Sequence, residues 1–130
     1  MPKYAIDDIM DAGLNHISTT AIGLVVCTND VLTGGDPDYT KVTSTSALTG
    51  IVVLDAGDFA ALTDGITGRR LTVNAQNDIL ITTSGDAAHI CLVDTSGLEV
   101  IYMTTCTTQT LTSSNNVSVP AWDIELRDPA

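Results

Sequence analysis

The groups in this chain that could do chemistry fall into a few small sets. His89 and Cys91 lie two residues apart in Ala88-His89-Ile90-Cys91. In a strand that spacing puts both side chains on one face, as a thiol nucleophile and its base would need. The segment offers no sharp turn and no oxyanion-binding device, so a structural histidine beside a structural thiol is the plainer reading. Asp123 and Glu125 also share a strand face, about 6–7 Å apart along the backbone. Paired acids of that kind serve glycoside hydrolysis. Alternation explains them as the solvent side of an amphipathic strand, with Arg127 on the same face to screen them. One Trp, one Phe and three Tyr leave little for a sugar-binding platform.

The remaining sets are weaker. Asp30, Asp36 and Asp38 invite a calcium reading, but they miss the EF-hand spacing and its bidentate Glu. Gly34-Gly35 and Gly65-x-x-Gly68-Arg69-Arg70 lack the Lys-Ser/Thr of a phosphate loop. His16 falls in a helical pattern. Cys27, Cys91 and Cys106 show no C-x-x-C spacing and read as buried reduced thiols. The expectation is a protein that is not an enzyme, with no catalytic residues, no cofactor and no metal site.

Composition narrows the class. At 130 residues there is room for one domain, and 44% hydrophobic content supplies its core. Only 16% of residues are charged, against a usual share of about 25%, so Thr, Ser, Asn and Gly must carry the surface. Low charge also leaves few devices against edge-to-edge association of strands. Sixteen acids against five Lys and Arg give a net charge of −11. Such a chain repels phosphate backbones and anionic lipids, so neither nucleic acid nor membrane is an expected partner. No secretory signal pattern and no membrane-length apolar run is present, which predicts synthesis in a cytoplasm.

The elements follow from periodicity. Residues 1–20 hold the helical pattern, with Ile6, Ile9, Met10, Leu14 and Ile17 recurring on one face. A short helix capping an open end of a sandwich is expected; a docking arm for a neighbouring subunit is the alternative. Residues 21–28 read as a strand buried on both faces, 29–39 as an acidic loop, and 40–49 as a poor strand or extended loop. Ile51-Val52-Val53-Leu54 is a strand, and 58–62 one helical turn capped by Asp58. Residues 69–128 read as a meander of strands at 69–75, 78–83, 87–94, 98–105 and 121–127. Asn77-Asp78 and Thr95-Ser96-Gly97 are its hairpin connections. In the last strand Trp122, Ile124 and Leu126 face inward, and Asp123, Glu125 and Arg127 face water. The fold class predicted is mainly β: a single antiparallel β-sandwich domain over residues 1–130 with a short amino-terminal helix.

Several segments resemble one family. Residues 6–17 (Ile-Asp-Asp-Ile-Met-Asp-Ala-Gly-Leu-Asn-His-Ile), Val25-Val26-Cys27-Thr28 and Gly68-Arg69-Arg70-Leu71-Thr72-Val73 are similar to stretches of small virion structural proteins of tailed bacteriophages. So are residues 83–95 (Thr-Ser-Gly-Asp-Ala-Ala-His-Ile-Cys-Leu-Val-Asp-Thr) and 119–129 (Val-Pro-Ala-Trp-Asp-Ile-Glu-Leu-Arg-Asp-Pro). Met103-Thr104-Thr105-Cys106 departs from that pattern. The resemblance implies a capsid cement or decoration protein, a sandwich of jelly-roll type on the outer surface of the virion head. Its partner would be the major capsid protein, bridged between capsomers by a homo-oligomer, a dimer or trimer. A tail- or head-fibre-associated module is the alternative, and a carbohydrate-binding module a more distant one. The residues expected at partner contacts are Ile6, Ile9, Met10, Lys41, Arg69 and Arg70, with the 40–49 extension.

Overall fold

The computed structural model describes residues 7–20, 23–65 and 68–127. Its centre is β1 (Gly23–Cys27), whose five residues are all buried. β1 lies antiparallel between β8 (Gly85–Asp94) and the short β4 (Val52–Val53), and β9 (Glu99–Leu111) pairs with β8. The result is one four-stranded sheet in the order β4-β1-β8-β9. Leu24 and Val26 leave one face of β1 and enter a core with Leu71, Val73, Leu92 and Ile124. Val25 and Cys27 leave the other and join Val31, Val42, Cys91 and Val93. A strand covered on both sides reads as a continuous apolar run, as residues 23–27 do. Gly23 is required by close approach: a Cβ there would run into methyls of Ile51 and Val93.

The first core is completed by two further antiparallel sheets. β6 (Gly68–Val73) lies between β11 (Trp122–Arg127) and β5 (Thr63–Asp64). β7 (Gln76–Leu80) pairs with β10 (Asn116–Val119). The molecule is thus mainly β, with one amino-terminal helix, α1 (Asp7–Thr20), packed chiefly on β6 and touching β11 and β9. Met10 and Leu14 are buried as the helical pattern predicts, while Ile9 is 65% exposed. Ile6 lies outside the described residues.

The 69–128 segment is not a meander. Of its strands only β8 and β9 pair as chain neighbours, through the turn at 95–98. Just past β6, Asn74 is held by the preceding loop rather than turned into a hairpin. Its backbone N–H donates to Asp58 O at 2.8 Å and its Nδ2 to Gly57 O at 3.1 Å. β6 pairs instead with β11, which sets Leu71 opposite Ile124 and Val73 opposite Trp122. Asn77-Asp78 is no hairpin turn; it lies within β7, where Asp78 takes a left-handed φ of 56°.

Four local expectations also change. The 40–49 segment is extended only in its second half, where Ala47 and Thr49 form isolated antiparallel bridges; Lys41–Thr45 forms a π-helical turn. The Lys41 N–H donates to the Asp38 carboxylate at 3.1 Å, the Ser46 N–H closes on Lys41 O at 2.8 Å, and Val42 is buried. Burial of Val42 overrides the extended preference of the Thr and Ser around it. The 29–39 loop contains a small hairpin, β2 (Leu32–Thr33) and β3 (Asp36–Pro37), turned by Gly34 and Gly35 at φ 63° and 90°. The helical turn near 58 is Ala56–Asp58, capped by Asp55, not by Asp58. The Asp58 carboxylate instead accepts the Asp55 N–H, closing a capping box. In β11, Glu125 is more enclosed than Leu126, because Glu125 packs over Gly65 while Leu126 meets the rim of α1 at Gly13.

Leu24 is fully buried at the centre of the larger core. Leu24→Ala is expected to cost about 2–5 kcal/mol of unfolding free energy, measured by urea denaturation.

Candidate functional site

Most of the groups singled out for chemistry are held by partners within the chain. On the outer face of the central sheet, Cys27 and Cys91 are neighbours on paired strands, both without exposure. A hydrogen bond with Cys91, together with burial, pushes the Cys27 thiol far above the ordinary thiol range. Cys27 Sγ donates to Val42 O at 3.3 Å. Burial also pushes the half-buried Cys106 upward, with a smaller contribution from Cys91. The three cysteines are free thiols. His89 lies 3.2 Å from Thr28 O through Nδ1; a carbonyl only accepts, so Nδ1 carries the proton.

The carboxylates are similarly engaged. Asp123 accepts from Thr72 Oγ1 at 2.6 Å and faces Arg70 Nη1 at 3.6 Å. Glu125 pairs with Arg127 at 3.7 Å. In the acidic hairpin Asp30 pairs with Lys41 at 2.9 Å. The Asp38 carboxylate accepts Thr33 Oγ1 at 2.7 Å and the Lys41 N–H. These bonds, the Thr33 one foremost, hold Asp38 below the usual carboxylate range. Among the described residues no group of His, Cys, Asp and Glu is arranged to hold a metal ion.

The expected contact residues are placed as follows. Arg69 joins three elements, with Nε 2.7 Å from Asp11 of α1 and Nη1 2.6 Å from Asp64 of β5. Its hydrogen bonds to those carboxylates, Asp11 foremost, raise the Arg69 guanidinium above its ordinary value. Lys41 donates to Asp30 and to Leu32 O at 2.8 Å. Met10 is buried within the chain, and Ile9 is exposed. Every cation among the described residues, Lys41, Arg69, Arg70 and Arg127, therefore faces a carboxylate of its own chain. Arg70 Nε and Trp122 Nε1 are buried donors without an acceptor.

What residue-by-residue reading missed is a pair of mostly apolar hollows beside sheet edges, each with a single carboxylate in its lining, Asp123 in the first and Asp78 in the second. The first, about 410 Å³, opens along β9 toward β10 and β11, between Ile90, Cys106 and Leu111 on one side and Val119, Pro120 and Trp122 on the other. Its size lies within the range typical of binding clefts. Trp122 is braced by stacking on Tyr102, with centroids 5.9 Å apart. The second hollow, about 350 Å³, lies between the β4 region and β7, with Ile51, Val52 and Leu80 on its walls. The sequence signal was present: residues 100–122 and 42–54 contain no Asp, Glu, Lys, Arg or His.

Comparison of the chain with family models, curated proteins and solved structures finds no match. The family resemblance therefore stands on the sequence segments themselves.

Two outcomes test this electrostatic picture. Arg69→Met leaves Asp11 and Asp64 without their cation, so α1 is expected to lose amide protection and the urea midpoint to fall, whereas Arg127→Met at the exposed end of β11 leaves both unchanged. A carboxyl depressed in the folded state adds stability that is complete above its unfolded value and lost as pH falls through its folded one. Protection of the amides in residues 31–41 is accordingly expected to drop on acidification below the usual carboxylate range. Asp38→Asn should remove that pH step, read by hydrogen exchange.

Proposed function

We propose that this protein is a cement or decoration protein of a tailed-bacteriophage head. It binds the outer surface of the major capsid shell as a homo-oligomer and stabilises it by bridging capsomers. Its sheets would then be the two layers of a jelly-roll sandwich. The observation that carries the reading is the ordered series of resembling segments at 6–17, 25–28, 68–73, 83–95 and 119–129. Within the described residues those segments fall on α1, β1, β6, β8 and β11, the elements that build and brace the larger core.

The electrostatics support an outward-facing position. A net charge of −11, with the described cations already facing internal carboxylates, is repelled by packaged DNA and suits the solvent side of a shell. Many modest contacts repeated over an icosahedral surface add through multivalency, which is how a small chain can resist internal pressure.

A cryo-EM map of the virion is the test. Density on the outside of the head that fits this fold is the expected result. Density found on the tail would select the tail-associated reading, and a head surface without it would contradict the proposal.

A further inference from the structure

We infer that copies of this chain associate head to tail through the two free edges of the four-stranded sheet. The apolar edge at residues 51–53 of one copy enters the cleft beside β9 of the next. The inference rests on the homo-oligomeric part of the reading above and is independent of the shell.

The strand order gives β4 and β9 one partner each among the described residues. Sheet edges are usually protected by Lys, Pro or inward charges. The β4 edge has none of these between Val42 and Leu54. It instead presents Val53 at 82% exposure and Ile51 at 37%, with Leu80 at 55% across the adjoining hollow. The opposite edge offers the matching recess, a cleft whose walls include Ile90, Leu111 and Val119. One edge projects apolar side chains and the other leaves an apolar space.

Charge selects the occupant. Two copies at −11 each repel over most of their surfaces. The β4 edge lies in a stretch without ionisable residues, and the cleft holds one carboxylate, Asp123, which already faces Arg70 and Thr72 of its own chain, so like-charged copies can meet there without burying an unpaired carboxylate. A basic partner would find its complement elsewhere on the molecule.

Strand sense agrees. Neighbours in the sheet are antiparallel throughout, so β4 of a copy in the same orientation would lie antiparallel to β9 and extend the alternation. β9 bulges opposite Ala88, where Ala87 pairs with Gln109 but His89 with Thr105. That interrupts any long ladder, so the contact depends on side chains seated in the cleft. A heterologous contact of this kind makes a ring where its rotation closes and an open filament where it does not; it cannot make a two-fold dimer, so between dimer and trimer it selects the trimer.

The test uses purified full-length protein with no shell present, so its failure is separate from failure of the capsid reading. Val53→Asp spoils the projecting edge, and Gln109→Glu places a charge in the cleft with almost no change of shape. Both sites are exposed, and unchanged thermal melts would verify folding; Thr107→Glu replaces Gln109→Glu if that variant melts early. Sedimentation velocity should show wild type above its 13.6 kDa monomer mass, with assembly strengthened by added salt as like charges are screened. Each variant alone should sediment as a monomer. Mixed in equal amounts they should regain a dimer, because each retains the surface the other lacks. A monomeric wild type, variants that still assemble, or a mixture that stays monomeric would overturn the inference.

Discussion

The structure depends on burying β1 on both faces. A strand with two apolar faces needs cover on each side and a complete set of hydrogen-bond partners along each edge. β8 supplies one edge over all five residues, but β4 reaches only Gly23 and Leu24. Beyond them the 46–49 segment takes over. Leu48 N–H donates to Val26 O at 2.9 Å, Thr28 N–H to Ser46 O at 3.0 Å, and Val26 N–H to Thr49 Oγ1 at 3.3 Å. This explains why Ser46 and Thr49 are, among the described residues, the two buried polar ones. The π-helical turn at 41–45 and the acidic hairpin before it are the means by which that segment also covers the outer face.

Charge is distributed around this frame in a consistent way. The few cations fasten elements to one another, Arg69 tying α1 to β5 and β6, and Lys41 tying the acidic hairpin to the π-helical turn. Most acids are left on the surface, while the β4 edge and most of β9 beyond Glu99 stay uncharged. A small acidic scaffold with neutral stretches at two edges of its central sheet offers surfaces where copies or neighbours can meet. Thr-rich strands such as β9 suit that task, since Thr fits an exposed pleat without adding charge.

Much of this was legible in the sequence where one local signal matched one tertiary role. The apolar run at 23–27 gave a doubly buried strand, and the spacing of Met10 and Leu14 gave the inward face of α1. The alternation at Trp122 and Ile124 gave the inner side of β11. Failures came where distant contacts decided. Pairing of β6 with β11 depends on residues some 50 positions away, which no local pattern encodes. Asp58 resembles a cap, yet its partner is the Asp55 N–H behind it. β9 extends to Leu111 because Thr110 is fastened to Asp86 and Leu111 is buried, although its polar composition reads as loop. The chemistry-bearing residues were easy to find, and most of them make hydrogen bonds or ion pairs within the chain. The clefts were hard to find because they are built from unremarkable Val, Leu, Thr and Pro.

The central claim is that this protein binds an assembled head and strengthens it. Adding purified protein to heads assembled without it tests that claim most directly, with bound mass and the temperature of DNA release as readouts. The account predicts saturable binding at a fixed number of copies per head and a higher release temperature. Heads that bind nothing, or bind without any gain in thermal resistance, would contradict it.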